Sequence, residues 1–259
     1  MRLKYQPTEP LKQTPHIVAF LDFLGATAKM RSVKDNDNFL QEIYTVYNFA
    51  NQILEQTEKK RENKLKIKIF SDNIVIAEKI ENPLDLQSVF QTYTDVEQFA
   101  LMLYSQALLT KNMMRGAISM GNLFINDTFV YGEALVAAYD DESKIANYPR
   151  IIVDKNIWEK FPRPDKENLV QCDIDGELYL SPFWGIPKIS EYDKLKANLL
   201  LNHIKNSIEA KYREISKKSN RFIFPKYHWL ANQFNQYCQS NNFNFQIDLD
   251  KLTLEGKNE

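Results

Sequence analysis

The sequence predicts an α+β fold: a ferredoxin-like, antiparallel sheet with helices on one face, followed by a helical C-terminal extension. Three observations lead there. Apolar runs of strand length alternate with segments of three- and four-residue periodicity, in the order β-α-ββ-α-ββ-α-β, up to about residue 158. Two strand regions, 64–80 and 113–132, are each interrupted once by polar residues, as hairpins are. A chain of 259 residues with 44% hydrophobic content is long enough and apolar enough to bury such a core.

The elements follow in order. Residues 1–15 are polar, carry proline and read as a lead-in. "HIVAFLDFLG" (16–25) is a strand that ends at a glycine turn. From Ala26 to Glu58, Phe39, Ile43, Val46, Tyr47 and Ala50 recur at helical steps. Residues 64–80 alternate at Leu65, Ile67 and Ile69, then become apolar on both sides of "SDN", which predicts a hairpin turning at Asp72. Residues 84–112 are helical, with Phe99, Leu103, Ala107 and Leu108 on one face. Residues 113–132 predict two strands joined at "IND", 133–146 a helix, and 148–158 a last strand. In the extension, 159–259, short strand pieces ("LVQCDI", "ELYLS") precede a helix over 189–218 with Leu195, Leu199, His203 and Ile208 inward. A final helix over 226–239 carries Trp229, Leu230 and Phe234.

Thirty-three basic residues balance 34 acidic ones, so no global field favours nucleic acid or an anionic membrane. Cys172 and Cys238 form neither a disulfide framework nor a metal-ligand spacing. No apolar stretch is long enough to span a bilayer, and the first residues lack the apolar core of a signal peptide. The expectation is a soluble, cytoplasmic protein.

Asp22 and Asp72 stand out because each interrupts an apolar strand. An ionised carboxylate withdrawn from water costs several kcal/mol unless compensated. Either the two acids cap backbone N–H groups at turns, or they meet a cation. Two converging carboxylates repel unless protonated or bridged by a divalent ion. Hard oxygen ligands without His or Cys would select Mg²⁺ or Mn²⁺, completed by substrate phosphates. The turn Phe23–Leu24–Gly25 then offers backbone N–H groups at a helix start, where phosphate binds.

"AFLDFLGAT", "KIKIFSDNIVIA", "RGAISMG" and "VYGEALVAAYDDESKIA" occur in that order over residues 16–155. Together they resemble the signature segments of class III nucleotidyl cyclases, whose catalytic domain (here 16–158) has a palm-type, ferredoxin-like sheet. The resemblance implies that Asp22 and Asp72 bind two Mn²⁺ or Mg²⁺ ions, with the Phe23 carbonyl as a further ligand. It places Lys68 at the base-reading lysine and Arg115, Gly116 and Gly121 in the supporting strand. Phe70 and Phe129 are candidates to shape the base pocket. The departures also matter. Phe129 stands where adenylate cyclases read adenine with an acid, and Val136 and Asp140 replace the Asn and Arg that steady the transition state. Lys144 and Arg150 are candidate substitutes for that cation. The run 132–153 is similar to the pyrimidine cyclases of the Pycsar anti-phage system, and the C-terminal "KYHWLANQFN" (226–235) resembles the tail of that group. That implies UTP or CTP as substrate, UTP favoured, a 3′,5′-cyclic monophosphate as messenger, a homodimer with shared sites, and a downstream effector that senses the product. No nucleic-acid or membrane partner is expected. The competing expectation is a catalytically impaired, nucleotide-sensing module.

Overall fold

The computed structural model describes residues 11–58, 65–161, 170–183, 186, 193–217 and 222–255. Most of the predicted lead-in, Lys64 at the start of the hairpin region and residues 189–192 of the predicted long helix lie outside them.

β1 (Thr14–Phe23) is the centre of the sheet. It is buried on both faces, which is why its sequence is apolar almost without alternation. Around it lie β2 (Leu65–Phe70), β3 (Asn73–Lys79) and β4 (Met114–Ile125), in the order β2-β3-β1-β4, every neighbouring pair antiparallel. With helices α1 (Ala26–Met30) and α2 (Asn36–Glu58) after β1 and α3 (Leu86–Leu109) after β3, this is the ferredoxin-like β-α-β-β-α-β arrangement. β5 (Val130–Gly132) folds back on β4. Helix α4 (Glu133–Lys144) then carries the chain over to β6 (Ile151–Val153), which pairs with β4 in parallel. The sheet is therefore mixed rather than wholly antiparallel, because a helical crossover returns the chain in its original direction. β7 (Val170–Cys172) and β8 (Leu178–Leu180) continue it beyond β6.

Helices cover both faces, not one. Ile17, Ala19, Leu21 and Phe23 join the main core with α2 and α3. Val18 and Phe20, pointing the other way by strand alternation, pack with Val75, Ala77, Ala134 and Ala138 under α4. Gly116 lets β1 and β4 meet closely: a Cβ there would lie 2.5 Å from the Phe20 carbonyl oxygen.

Other boundaries shift for local reasons. The helix expected over 26–58 breaks after Met30, where Ser32 accepts from the Asp35 backbone N–H at 3.2 Å and turns the chain. The strand expected over 148–158 ends at Val153, because Asp154 caps the short helix α5 (Lys155–Trp158), accepting from Asn156 N–H at 2.8 Å. Helix α6 (Lys194–Lys217) buries Ala197, Leu201, Ile204, Ile208 and Tyr212. Leu195 and Leu199 are exposed, as is His203; the longer of two competing apolar stripes won. Helix α7 (Phe224–Ser240) buries Trp229, Leu230 and Phe234 as expected, and a last helix, α8 (Leu249–Glu255), has no counterpart in the sequence reading. No helix among the described residues is long and apolar enough to cross a membrane.

A buried ion pair ties α7 to the sheet. Arg150, fully enclosed, meets Asp173 and Asp175, and Asp173 also accepts from Trp229 Nε1 at 2.9 Å. Trp229 stacks on Tyr148 at 5.7 Å between ring centres. Replacing Asp173 by Ala should strand the indole N–H and leave the guanidinium to Asp175 alone. A loss of about 1–3 kcal/mol is expected from denaturant unfolding.

Candidate functional site

The register of β1 brings the two acids together. Asp22 pairs with Asn73 on one side and with Arg115 on the other. Asp72 immediately precedes Asn73, in the two-residue loop between β2 and β3, and its carbonyl accepts from Phe23 N–H at 3.2 Å. Both acids therefore sit at one end of adjacent central strands, half-buried. Ser71 holds a positive φ of 57°, as the first position of a type II′ hairpin loop requires, although it is not glycine. Tyr47 on α2 fixes that strained turn by donating to the Ser71 carbonyl at 2.8 Å.

Neither carboxylate caps a backbone N–H among the described residues. Asp72 receives only the side-chain amide of Asn73, at 3.3 Å, and Asp22 receives Arg115 Nε at 3.2 Å. The turn-capping explanation of both acids is thus set aside. Burial raises the Asp22 carboxyl above its ordinary range; the Arg115 guanidinium opposes the rise and the charge of Asp72 adds to it. Burial raises the Tyr47 phenol as well, with both acids contributing.

Arg115 serves two acids. Its Nε lies 2.6 Å from Oε1 of Glu142, which is 2% exposed. Burial pushes the Glu142 carboxyl up to about 7 against the pull of Arg115, and the charge of Asp22 adds to the rise. A second cation, Lys226 at the start of α7, feels the charges of Arg115, Asp22 and Glu142. Sequence reasoning left both residues out of the site. Glu142 had a signal, since it continues the inward stripe Ala134, Ala138 at four-residue steps. Lys226 opens the C-terminal run 226–235, to which the resemblance gave no role, and only the tertiary fold brings α7 to this rim.

The other expected residues divide. Phe23 is buried and packs edge-on against Phe39 and Tyr47, so only its backbone faces the acids. Leu24 N–H bonds the Met113 carbonyl at 2.9 Å, and Gly25, at φ 78°, makes the left-handed turn into α1. No side chain caps α1. Phe70 and Tyr139 flank Phe20, two residues before Asp22 on the same face, with ring centres 6.4 and 5.5 Å away. Phe129 is half-exposed and stacks on Tyr131. Lys68 does not reach the acids: its ammonium donates to the Asp127 carbonyl at the tip of the β4–β5 hairpin. Both candidate substitute cations are placed elsewhere. Arg150 is consumed by Asp173 and Asp175, and Lys144 pairs with Asp140 at 2.8 Å on the exposed side of α4.

The donor set fits a hard divalent ion. It offers two carboxylates that repel each other, open to water on one side. Among the described residues no group of three or more His, Cys, Asp or Glu side chains would hold an ion alone. Backbone and phosphate oxygens would have to complete the shell, an arrangement that suits Mg²⁺ and Mn²⁺.

No family model matches the sequence, and no curated protein matches it. Among solved structures, the chain is similar to the adenylyl cyclase CyaB from P. aeruginosa, with a TM-score of 0.42 and 14% identity over 66% of this chain and 95% of that one. It is also similar to the catalytic core of a rhodopsin-guanylyl cyclase with converted specificity in complex with ATPalphaS (0.42, 11%, 65% and 96%). A third is a bacterial light-regulated adenylyl cyclase (0.38, 12%, 74% and 99%). Likenesses this distant carry no weight for function, which rests on the residues described.

The Glu142 carboxyl gives a pH prediction. Its folded pKa of about 7 lies above its ordinary 4.5, so the native state binds the extra proton between those values. Its contribution to stability therefore falls as pH rises from about 4.5 to 7 and is constant above. Glu142→Gln should remove that fall. Urea unfolding at pH 5 and pH 8 should show wild type losing stability relative to the variant, by up to about 1.4 kcal/mol per pH unit.

Proposed function

We propose that this chain is a nucleotidyl cyclase of the class III type. It would convert a pyrimidine nucleoside triphosphate, UTP in preference to CTP, into the 3′,5′-cyclic monophosphate and pyrophosphate. The product would serve as a messenger in bacterial anti-phage defence, read by a separate effector. The observation that carries the reading is the meeting of Asp22 and Asp72, uncapped, at the rim of the central strands. The pyrimidine and the defence role rest on the resemblance of residues 132–153 and on Phe129.

In the reaction, the ribose 3′-oxygen bonds to the α-phosphorus, the bond from that phosphorus to the β-phosphate oxygen breaks, and the 3′-hydroxyl proton is released. Divalent ions bound there would lower the pKa of the 3′-hydroxyl and neutralise the phosphates. The protein's task is position and charge. Asp22 and Asp72 supply oxygens from two strands whose register is fixed by β3-β1-β4 pairing. Of the turn's backbone N–H groups, those of Phe23 and Leu24 are taken by the Asp72 and Met113 carbonyls, so phosphate oxygens would meet the N–H of Gly25 at most. Phe20, Phe70 and Tyr139 offer an aromatic wall for a base beside the acids. Exposed Phe129, Tyr131, Val136 and Tyr139 favour a homodimer built on the α4 side. One observation favours the competing reading, a nucleotide sensor without turnover: Arg115 already holds Oδ2 of Asp22.

The test is incubation with Mn²⁺ and each of the four ribonucleoside triphosphates, with products identified by mass spectrometry. Cyclic UMP or cyclic CMP is expected, with activity per chain falling on dilution. Asp22→Ala and Asp72→Ala should each lose about a thousandfold or more while keeping the wild-type circular dichroism spectrum. Nucleotide binding without any cyclic product favours the sensor. An Asp72→Ala enzyme with full turnover contradicts the mechanism.

A further inference from the structure

We propose that Lys226, on the first turn of α7, receives the β- and γ-phosphates of the substrate at the Asp22–Asp72 site. This rests on the cyclase reading and extends it to a residue beyond the four signature segments of residues 16–155, in a run that carries no chemical motif.

Tyr227 and Trp229, both buried, pin the start of α7. Tyr227 shares a small cleft with Asn112 and Met113, which lead into β4 two residues ahead of Arg115. Met113 in turn accepts from Leu24, in the turn that follows Asp22. Trp229 is fixed on the other side by Tyr148 and Asp173. Lys226 is thus held against the rim where Asp22, Arg115 and Glu142 gather.

Lys226 is half-buried, yet its ammonium makes no ion pair or hydrogen bond among the described residues. The acids whose charges it feels, Asp22 and Glu142, are already in contact with Arg115. Burial lowers its pKa, and the neighbouring Arg115 charge lowers it further, whereas Asp22 and Glu142 support the charged form. A half-desolvated ammonium without a direct counterion gains most from an anion brought to it. A polyphosphate would be such an anion, and the acid pair itself cannot hold one without cations.

The other candidate cations are engaged elsewhere. Arg150 is enclosed by Asp173 and Asp175, Lys144 is tied to Asp140 in solvent, and Lys68 is engaged at Asp127. Lys29 donates to Asn112 and faces Glu42 at 3.5 Å. Among the described residues, Arg115 and Lys226 are the cations whose charges act on Asp22, and Arg115 is already engaged by two acids.

The experiment measures binding of inorganic pyrophosphate in the presence of Mn²⁺ by calorimetry, for the full chain as wild type, Lys226→Met and Lys226→Arg. Methionine keeps the apolar stem and removes the charge. Binding should weaken tenfold or more in the Met variant and recover to within about threefold in the Arg variant, with the thermal midpoint unchanged in both. Equal affinity in wild type and Lys226→Met, or no pyrophosphate binding by either, overturns the proposal. Turnover of the same preparations separates the two claims. A wild type that cyclises triphosphates while pyrophosphate binding ignores Lys226 refutes the role of Lys226 alone. A wild type whose pyrophosphate binding depends on Lys226, but which turns over none of the four triphosphates, refutes the cyclase reading and supports Lys226 as a polyphosphate ligand.

Discussion

Asp22 is held half-buried beside a like charge, and the pairing of three strands leaves it nowhere else to go. β1 is bonded on both sides, to β3 and to β4, so a one-residue slip would turn Val18, Phe20 and Asp22 to the opposite face and break both cores at once. The same pairing puts Asn73 opposite Asp22, and so puts Asp72 beside it. The price of the arrangement is a carboxyl whose pKa burial raises and a non-glycine residue at positive φ in the adjoining turn. Strain and charge crowding of this kind gather where structure serves chemistry.

The surroundings temper the crowding without abolishing it. Arg115 lies between Asp22 and Glu142, two acids from different layers, and its charge offsets part of both. Glu142 contributes the less obvious half of this balance, because burial raises its carboxyl while Arg115 opposes the rise. The extension is more than a covering layer. Through Arg150, Asp173, Trp229 and Tyr148 it locks α7 onto the end of the sheet that carries the acids, and it delivers a cation there.

How much of this was legible in the sequence follows from range. β1 and its two neighbours announce themselves by apolar runs, and the order of hairpins and helices is enough to suggest the β2-β3-β1-β4 core. Asp22 and Asp72 were visible as polar faults in those runs, a local signal. The helices on the second face were not, because α4 has a narrow inward stripe of alanines that composition alone does not assign to a side. Leu195 and Leu199 misled because α6 carries two apolar stripes, and only packing against the core chooses between them. The placements of Arg150 and Lys226 were hidden for the same reason. The arginine next to the signature segment is neutralised by acids more than twenty residues away, and the lysine that reaches the rim comes from a helix with no motif.

The central claim is that the side chains at positions 22 and 72 share a divalent ion. Titration of Mn²⁺ into the full chain with a non-cleavable pyrimidine triphosphate, followed by electron paramagnetic resonance, reads that directly. Bound Mn²⁺ should be present in wild type and be lost in both Asp22→Asn and Asp72→Asn, which keep the shape of each site while removing its charge. Mn²⁺ bound equally by wild type and both variants would contradict it.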